Sequence, residues 1–179
     1  MGSTRDERRF RLLFEAEARG VLGYALRRVG DREDAADVVA ETFSVAWRRI
    51  DAVPPQPEAR LWLYGVARRV LANQRRGELR RRRLADRMRE QLRAAGAVAK
   101  PSGDERADAV GAALAALSEQ DREVLLLATW EGLTPTEIAA VIGVPPATAR
   151  TRLHRARGRL RTALEPSAVL APMQDGGTR

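Results

Sequence analysis

Four side chains suited to hydrogen bonding with DNA lie close together in the second half of the sequence: Arg150, Thr151, His154 and Arg155. Their spacing of i, i+1, i+4 and i+5 brings them to one side of an α-helix. Guanidinium, hydroxyl and imidazole groups can hydrogen-bond to base edges in the major groove and to phosphate oxygens. This set therefore predicts a contact surface for duplex DNA.

These residues fall on the second of two predicted helices. The letters TPTE fit a capping box, with Thr134 at the N-cap, Pro135 at the first helical position and Glu137 at the third. This short helix ends at Gly143, and another begins at about Pro146, which is the spacing of a helix-turn-helix. The residues expected to face inward on the second helix are Ala149, Leu153, Ala156 and Leu160.

Charge is strongly segregated in this region. Six arginines lie between positions 150 and 161 with no acidic residue among them, whereas five acidic residues lie between 119 and 137. The basic end of such a domain would meet phosphate. The alternative is a solvated helix surface that binds nothing, although such surfaces usually mix both signs.

A second candidate surface lies on a predicted helix in the first half. Its core stripe follows i, i+3, i+4, i+7 and i+8: Leu63, Val66, Ala67, Val70 and Leu71. Trp62, Arg69, Asn73 and Arg76 share the other side, beside a segment stiffened by three prolines at 51–60. An aromatic ring among arginines suits unpaired bases, which stack on planar groups while arginines hold phosphates. Packing of Trp62 in the core is an equally good interpretation.

An acidic segment interrupts this basic half. Residues 31–41 carry five acids against one arginine, and Asp34, Asp37 and Glu41 repeat at helical spacing. Such a stripe would repel DNA, so it indicates either a basic protein partner or a solubilising helix face.

Composition narrows the class of function. The formal net charge of +8 favours a polyanionic partner. With no cysteine and a single histidine, the chain lacks the usual ligands of a zinc site, and no phosphate-binding glycine loop or acid-base set is present. We therefore predict a protein without cofactor, metal or enzymatic activity. Because no apolar run approaches the roughly 20 residues of a membrane span and no signal core is seen, we expect no membrane insertion and a cytoplasmic location.

The periodicity predicts an all-α fold of two small helical domains, the second of them a helix-turn-helix domain. The first domain covers 1–93 and the second 108–164. Between them, 94–107 is predicted as a flexible linker because it begins with the Gly- and Pro-containing stretch AAGAVAKPSGD. We expect 165–179 to be a disordered tail.

Three segments in this order resemble bacterial sigma factors of the extracytoplasmic-function (ECF) type, in the sigma-70 family. AADVVAETFSVAWRRI resembles the part of region 2 that binds the β′ clamp helices of RNA polymerase, and ARLWLYGVARRVLANQRR resembles the part that melts and reads the minus-10 element. LSEQDREVLLLATWEGLTPTEIAAVIGVPPATARTRLHRAR resembles region 4, which reads the minus-35 element.

The resemblance implies a role for each matching position. Asp37, Glu41 and Arg48 would contact core polymerase. The loop at 54–60 would capture a base flipped from the non-template strand. The residues then implied at the minus-10 element are Pro54, Gln56, Arg60, Trp62, Arg69, Asn73 and Arg76, and those at the minus-35 element are Arg150, Thr151, His154 and Arg155.

Some positions depart from the family pattern. Ala40 replaces a usual glutamine of the polymerase-binding motif, Arg69 an asparagine used at the minus-10 element, and Gly65 a frequent arginine. Because of Arg69 and Gly65, the base preference at the minus-10 element is not carried over from the family. In the second domain, Pro145 stands where a capping serine is common.

The predicted function is that of a promoter-specificity subunit that directs core RNA polymerase to its promoters and promotes initiation. The implied partners are the β′ clamp helices, the β flap, and promoter DNA in duplex and single-stranded form. Anti-sigma factors restrain many members of this family, so the resemblance admits one as a further partner. The alternative is a stand-alone helix-turn-helix regulator, which would bind its site without polymerase.

Overall fold

The computed structural model describes residues 4–92 and 105–168, and within these ranges its regular elements are all helices. The prediction of an all-α protein is confirmed. In chain order the elements are α1 (Thr4–Val29), α2 (Arg32–Arg48), a 3-10 turn (Ile50–Ala52), α3 (Glu58–Leu92), α4 (Glu105–Ala116), α5 (Glu119–Thr129), α6 (Pro135–Ile142) and α7 (Pro146–Ala168). They form two compact units, the first centred on α1, α2 and α3 and the second on α4, α5 and α7.

The first unit is a three-helix arrangement whose boundaries have local causes. Gly30 ends α1 with a φ of 78°, a left-handed conformation that favours glycine. Asp31 then caps α2, because its carboxylate accepts a 2.8 Å hydrogen bond from the Glu33 N–H. In α2 the core takes up Val38, which is fully buried, and leaves the adjacent Val39 half-buried.

The helix α3 packs against α1 and α2. All five residues of its predicted apolar stripe are buried, which confirms that stripe. Stacked rings of Tyr24 and Tyr64, 5.0 Å apart, join α1 to α3. The proline-rich segment is shorter than predicted, because α3 already begins at Glu58, directly after the last of its three prolines.

Side chains cap both α5 and α6, and the cap of α6 confirms the predicted capping box. The Ser118 hydroxyl accepts a 3.1 Å hydrogen bond from the Asp121 N–H at the start of α5. In the capping box of α6, the Thr134 N–H donates to the Glu137 carboxylate at 2.8 Å. At the other end of α6, Gly143 has a φ of 71° and the Val144 N–H donates to the Ala139 carbonyl at 3.1 Å, which is a Schellman turn.

Two predicted segments fall partly outside the described residues. Of the predicted linker, 94–104 is not described, and α4 begins at Glu105, ahead of the expected start of the second domain at 108. Glutamate, arginine and alanine at 105–107 are good helix formers, which is consistent with this earlier start. Of the predicted tail, α7 includes 165–168, and 169–179 is not described.

Candidate nucleic-acid interface

The predicted reading face of α7 is exposed. Ala149, Leu153 and Ala156 are buried, as the inward side requires. The four residues expected to contact the minus-35 element all lie on the exposed side of the same helix: Arg150, Thr151, His154 and Arg155. Leu160, expected in the core, is only half-buried. The helix therefore presents donors and a hydroxyl on the surface that a major groove would meet.

The basic helix α7 is tied to α5 by an ion pair. Arg159 forms an ion pair with Asp121 of α5, whose side chain is almost completely buried. The sequence segregates these charges but gives no sign that the two residues meet. A cleft on the second unit is lined by this pair together with Thr151 and Arg155, so a buried negative charge lies beside the reading face.

The predicted polymerase residues lie on the exposed side of α2. Asp37, Glu41 and Arg48 are exposed, and Arg48 donates to the Glu41 carboxylate at 3.0 Å. An ion pair between two side chains this exposed contributes little to stability. The charged groups are therefore available to a partner.

An open groove of about 1200 Å³ runs between α2 and α3. Its lining includes Asp37, Glu41 and Arg48 from α2, and Trp62, Arg69 and Asn73 from α3. The structure thus brings residues of the predicted polymerase surface and of the predicted single-strand surface to the two walls of one groove. Trp62 is half-buried at this groove, which suits both packing and a partial contact with a ligand.

At the far end of the predicted single-strand surface, Arg76 donates a hydrogen bond to the Asn73 side-chain oxygen. Both residues are exposed. The bond fixes the orientation of the Asn73 amide, whose nitrogen then points elsewhere with two donors available.

The predicted loop at 54–60, whose residues 58–60 belong to α3 in the structure, is held by a residue that sequence reasoning missed. Glu17 of α1 accepts a hydrogen bond from the Gln56 amide at 2.7 Å and another from the Arg60 Nε at 2.9 Å. The pKa of Arg60 is raised above its ordinary value, first by this hydrogen bond and then by the charge of Glu17. The only signal in the sequence was an acid at an apolar position of α1, between Leu13 and Val21.

The start of the loop is also tied to α1. The Arg9 guanidinium donates to the Val53 carbonyl, and the two segments enclose a small, mainly apolar cavity of about 190 Å³. Its walls include Leu12, Leu13 and Pro54. The loop therefore rests on α1 over a defined contact.

A cluster of aromatic rings is a further feature that sequence reasoning missed. Phe10 and Phe14 of α1 meet Phe43 and Trp47 of α2 with ring centroids 4.8 to 6.1 Å apart. Phe43 is buried, whereas Phe14 and Trp47 are 44% and 38% exposed. The cluster joins α1 to α2 and adds an apolar patch beside Arg48.

Residues 4–92 and 105–168 contain no cluster of three or more acidic, histidine or cysteine side chains able to bind a metal ion. No helix there is long and apolar enough to cross a membrane.

Both helical units of this chain match models of known protein families. The model of sigma-70 region 2 matches residues 13–83, and the model of sigma-70 region 4 matches residues 107–160. The ECF RNA polymerase sigma factor SigL of Mycobacterium tuberculosis is 31% identical over 165 residues, which span 89% of this chain and 90% of SigL. The RNA polymerase sigma-H factor of Pseudomonas aeruginosa is 30% identical over 171 residues, 90% of this chain and 89% of that protein.

A solved structure shares the fold. The sigma factor RpoE, in complex with the anti-sigma factor NepR from Bartonella quintana, has a TM-score of 0.61 to this chain. The match covers 87% of this chain and 96% of that one, at 23% identity.

The chain belongs to the sigma-70 family and carries both of the regions that read a promoter. Within that family it is an ECF sigma factor. Its function is that of a promoter-specificity subunit of RNA polymerase.

Proposed function

We propose that this chain directs core RNA polymerase to promoters through three surfaces, with no catalytic activity of its own, and that it acts in the cytoplasm. The observation that carries the proposal is the surface position of the three residue sets, all exposed except the half-buried Pro54 and Trp62, on a chain that matches both sigma regions. The domains would be 1–93 and 108–164, joined by a linker at 94–107.

The acidic side of α2 is the proposed contact with core polymerase. Asp37 and Glu41 would face the β′ clamp helices, and Arg48 would orient Glu41 through their 3.0 Å hydrogen bond. Opposite charges across an interface accelerate association and fix its register. Ala40, on the same groove wall, removes one polar contact but leaves both carboxylates in place. A second contact, between region 4 and the β flap, follows from family membership.

The exposed side of α7 is the proposed reader of the minus-35 element. Arg150 and Arg155 can each donate two parallel hydrogen bonds to a guanine or hold a phosphate. Thr151 and His154 lie between them on the same face and add shorter contacts.

The loop and the α3 wall of the groove are the proposed minus-10 reader. Pro54, Gln56 and Arg60 would surround a flipped base, and Trp62, Arg69, Asn73 and Arg76 would follow the strand. Each base stacked on a planar side chain is worth about 1 to 3 kcal/mol, so binding to exposed bases can stabilise the opened duplex.

The two domains would reinforce each other. Once one element is bound, a flexible linker raises the effective concentration of the second domain at the other element. An anti-sigma factor is a further proposed partner, since such inhibitors are common in this family.

Run-off transcription tests the function directly. Core RNA polymerase, the purified chain and a set of genomic promoter fragments should give discrete transcripts that neither protein gives alone. The chain alone should bind the same fragments weakly. No binding to core polymerase, or specific tight DNA binding without it, would instead indicate the stand-alone regulator, which the region 2 match at 13–83 disfavours.

A further inference from the structure

Glu17 is a carboxylate in the core of the first unit. Its side chain is 3% exposed, and the neighbouring inward positions of α1 are apolar: Leu13, Val21, Tyr24 and Ala25. A buried carboxylate is tolerated when hydrogen bonds and charge replace the water that it loses. Packing alone would favour an apolar side chain here, so the reason for the acid must lie in its partners.

Two of its partners come from the proline-rich segment and the helix that follows it: Gln56 lies in the loop and Arg60 in the first turn of α3. One carboxylate oxygen accepts from the Gln56 amide nitrogen at 2.7 Å, and the other accepts from the Arg60 Nε at 2.9 Å. They come from 39 and 43 residues further along the chain. One side chain of α1 therefore sets the orientation of two side chains that are predicted to contact DNA.

The Glu17 carboxylate determines which hydrogen-bonding groups Gln56 and Arg60 present to a ligand. An ionised carboxylate only accepts hydrogen bonds, so Gln56 must turn its NH₂ group toward Glu17 and its amide oxygen away. Arg60 uses Nε for Glu17, and its side chain is 55% exposed, which leaves the two terminal NH₂ groups for phosphate or base.

We propose that Glu17 is a positioning residue for the minus-10 reader: it fixes the Gln56 amide so that an oxygen acceptor, rather than the NH₂ donor, faces the captured base, and it holds Arg60 beside it. This rests on the proposed role of the loop in base capture. A base with an exocyclic amino group is then favoured at that position, because its N–H donates to the Gln56 oxygen.

The remaining contacts of the loop fit this role. The Arg9 guanidinium holds the Val53 carbonyl, and the Ala59 N–H donates to the Pro55 carbonyl at 3.1 Å. The loop is thus ordered before DNA binds. Ordering in advance lowers the entropic cost of binding, so Glu17 contributes to affinity as well as to selectivity.

The test uses a Glu17→Gln variant, which keeps the shape of the side chain. A glutamine at 17 can donate as well as accept, so it no longer dictates which way the Gln56 amide turns. The substitution also removes the negative charge beside the Arg60 guanidinium. Glu15→Gln is the matched control, because it makes the same change on α1 at an exposed position. Holoenzyme is reconstituted from core polymerase and the full chain with either substitution.

The probe is fork-junction DNA built on a promoter found by run-off transcription, with each minus-10 base replaced in turn by the other three bases and by an abasic nucleotide. Wild-type holoenzyme should show a captured position that prefers a base with an exocyclic amino group. Glu17→Gln should reduce that preference about three- to tenfold, the effect of one neutral hydrogen bond between the base and the Gln56 oxygen. Its affinity for core polymerase and for a minus-35 duplex should stay within about twofold of wild type. Glu15→Gln should keep the wild-type profile.

Two results would overturn the inference. One is an unchanged base preference in Glu17→Gln. The other is an equal weakening at every minus-10 position, which would show that Glu17 only supports the fold.

A Gln56→Ala variant further separates positioning of the Gln56 amide by Glu17 from mere support of the fold. If Glu17 acts through Gln56, the double variant should discriminate no worse than Gln56→Ala alone, whereas additive losses would contradict the inference. Failure of wild-type holoenzyme to initiate transcription would refute the proposed function instead, before any variant is compared.

Discussion

Asp121 of α5 and Arg159 of α7 form an ion pair in which the carboxylate is buried and the guanidinium reaches the surface, with side-chain exposures of 6% and 62%. The pair joins the helix that carries the predicted DNA contacts to the helix that supports it. Asp121 also lies at the start of α5, where its N–H donates to Ser118. The orientation of α7 therefore depends on a charge that the sequence places 38 residues away.

Arg159→Ala should lower the free energy of unfolding by about 1–3 kcal/mol, because it leaves the buried Asp121 carboxylate without this partner. Urea unfolding of the full chain, followed by circular dichroism, measures the change. Arg157→Ala is the control, since Arg157 is exposed on the same helix and its loss should change stability by no more than about 0.5 kcal/mol. Equal effects of the two substitutions would show that the ion pair contributes nothing.

The capping box of α6 should make stability depend on pH. Hydrogen bonds from the Thr134 hydroxyl and then from its N–H lower the pKa of Glu137 below its ordinary value of 4.5. A carboxyl with a lowered folded pKa stabilises the fold above pH 4.5, and this contribution is lost as the pH falls through the folded pKa. Wild type should therefore exceed Glu137→Gln in thermal midpoint at neutral pH, and the difference should shrink in acid. In a Thr134→Ala background, which removes the hydroxyl but keeps the backbone N–H, that shrinkage should become smaller, and its full persistence would contradict the assignment.

Arg150→Ala or Arg155→Ala should weaken minus-35 recognition by about 1–3 kcal/mol if the guanidinium makes a bidentate contact with guanine. Binding of holoenzyme to a minus-35 duplex measures this, with core binding recorded in parallel. Arg11→Ala removes the same charge from an exposed position on α1 and is the control for general electrostatic attraction. Loss of core binding in both α7 variants would mean that this helix has another role.

Reversing the charges of α2 with Asp37→Lys and Glu41→Lys together should weaken core binding about tenfold or more, because like charges would then meet across the interface. Fluorescence anisotropy of the labelled chain with core polymerase measures the dissociation constant. Glu15→Lys reverses an exposed charge on α1 and should bind nearly as wild type. If the double variant retains full affinity, α2 is not the polymerase surface.

Local patterns in the sequence predicted the helices well. The stripe of α3 and the capping box at Thr134 depend on residues a few positions apart, and both are confirmed. The faces of α7 were predictable for the same reason, because a helix of known period separates Ala149 from Arg150. Whether the exposed face binds DNA stays a prediction.

Long-range partners were not predictable. Glu17 pairs with Gln56 and Arg60, and Asp121 pairs with Arg159, across separations of 38 to 43 residues that no periodicity encodes. Small rotations of a helix about its axis were not predictable from the sequence either. Adjacent valines at 38 and 39 are equally apolar, and only packing decides that Val38 enters the core.

The contacts of Glu17 carry an evolutionary consequence. A substitution at 56 or 60 that removes a donor leaves the buried Glu17 carboxylate without one of its hydrogen bonds. A change at 17 removes the hydrogen bonds that hold the Gln56 and Arg60 side chains. The three positions are therefore expected to covary among relatives. A lineage that acquires a new promoter preference through this loop would have to alter a helix position that never touches DNA.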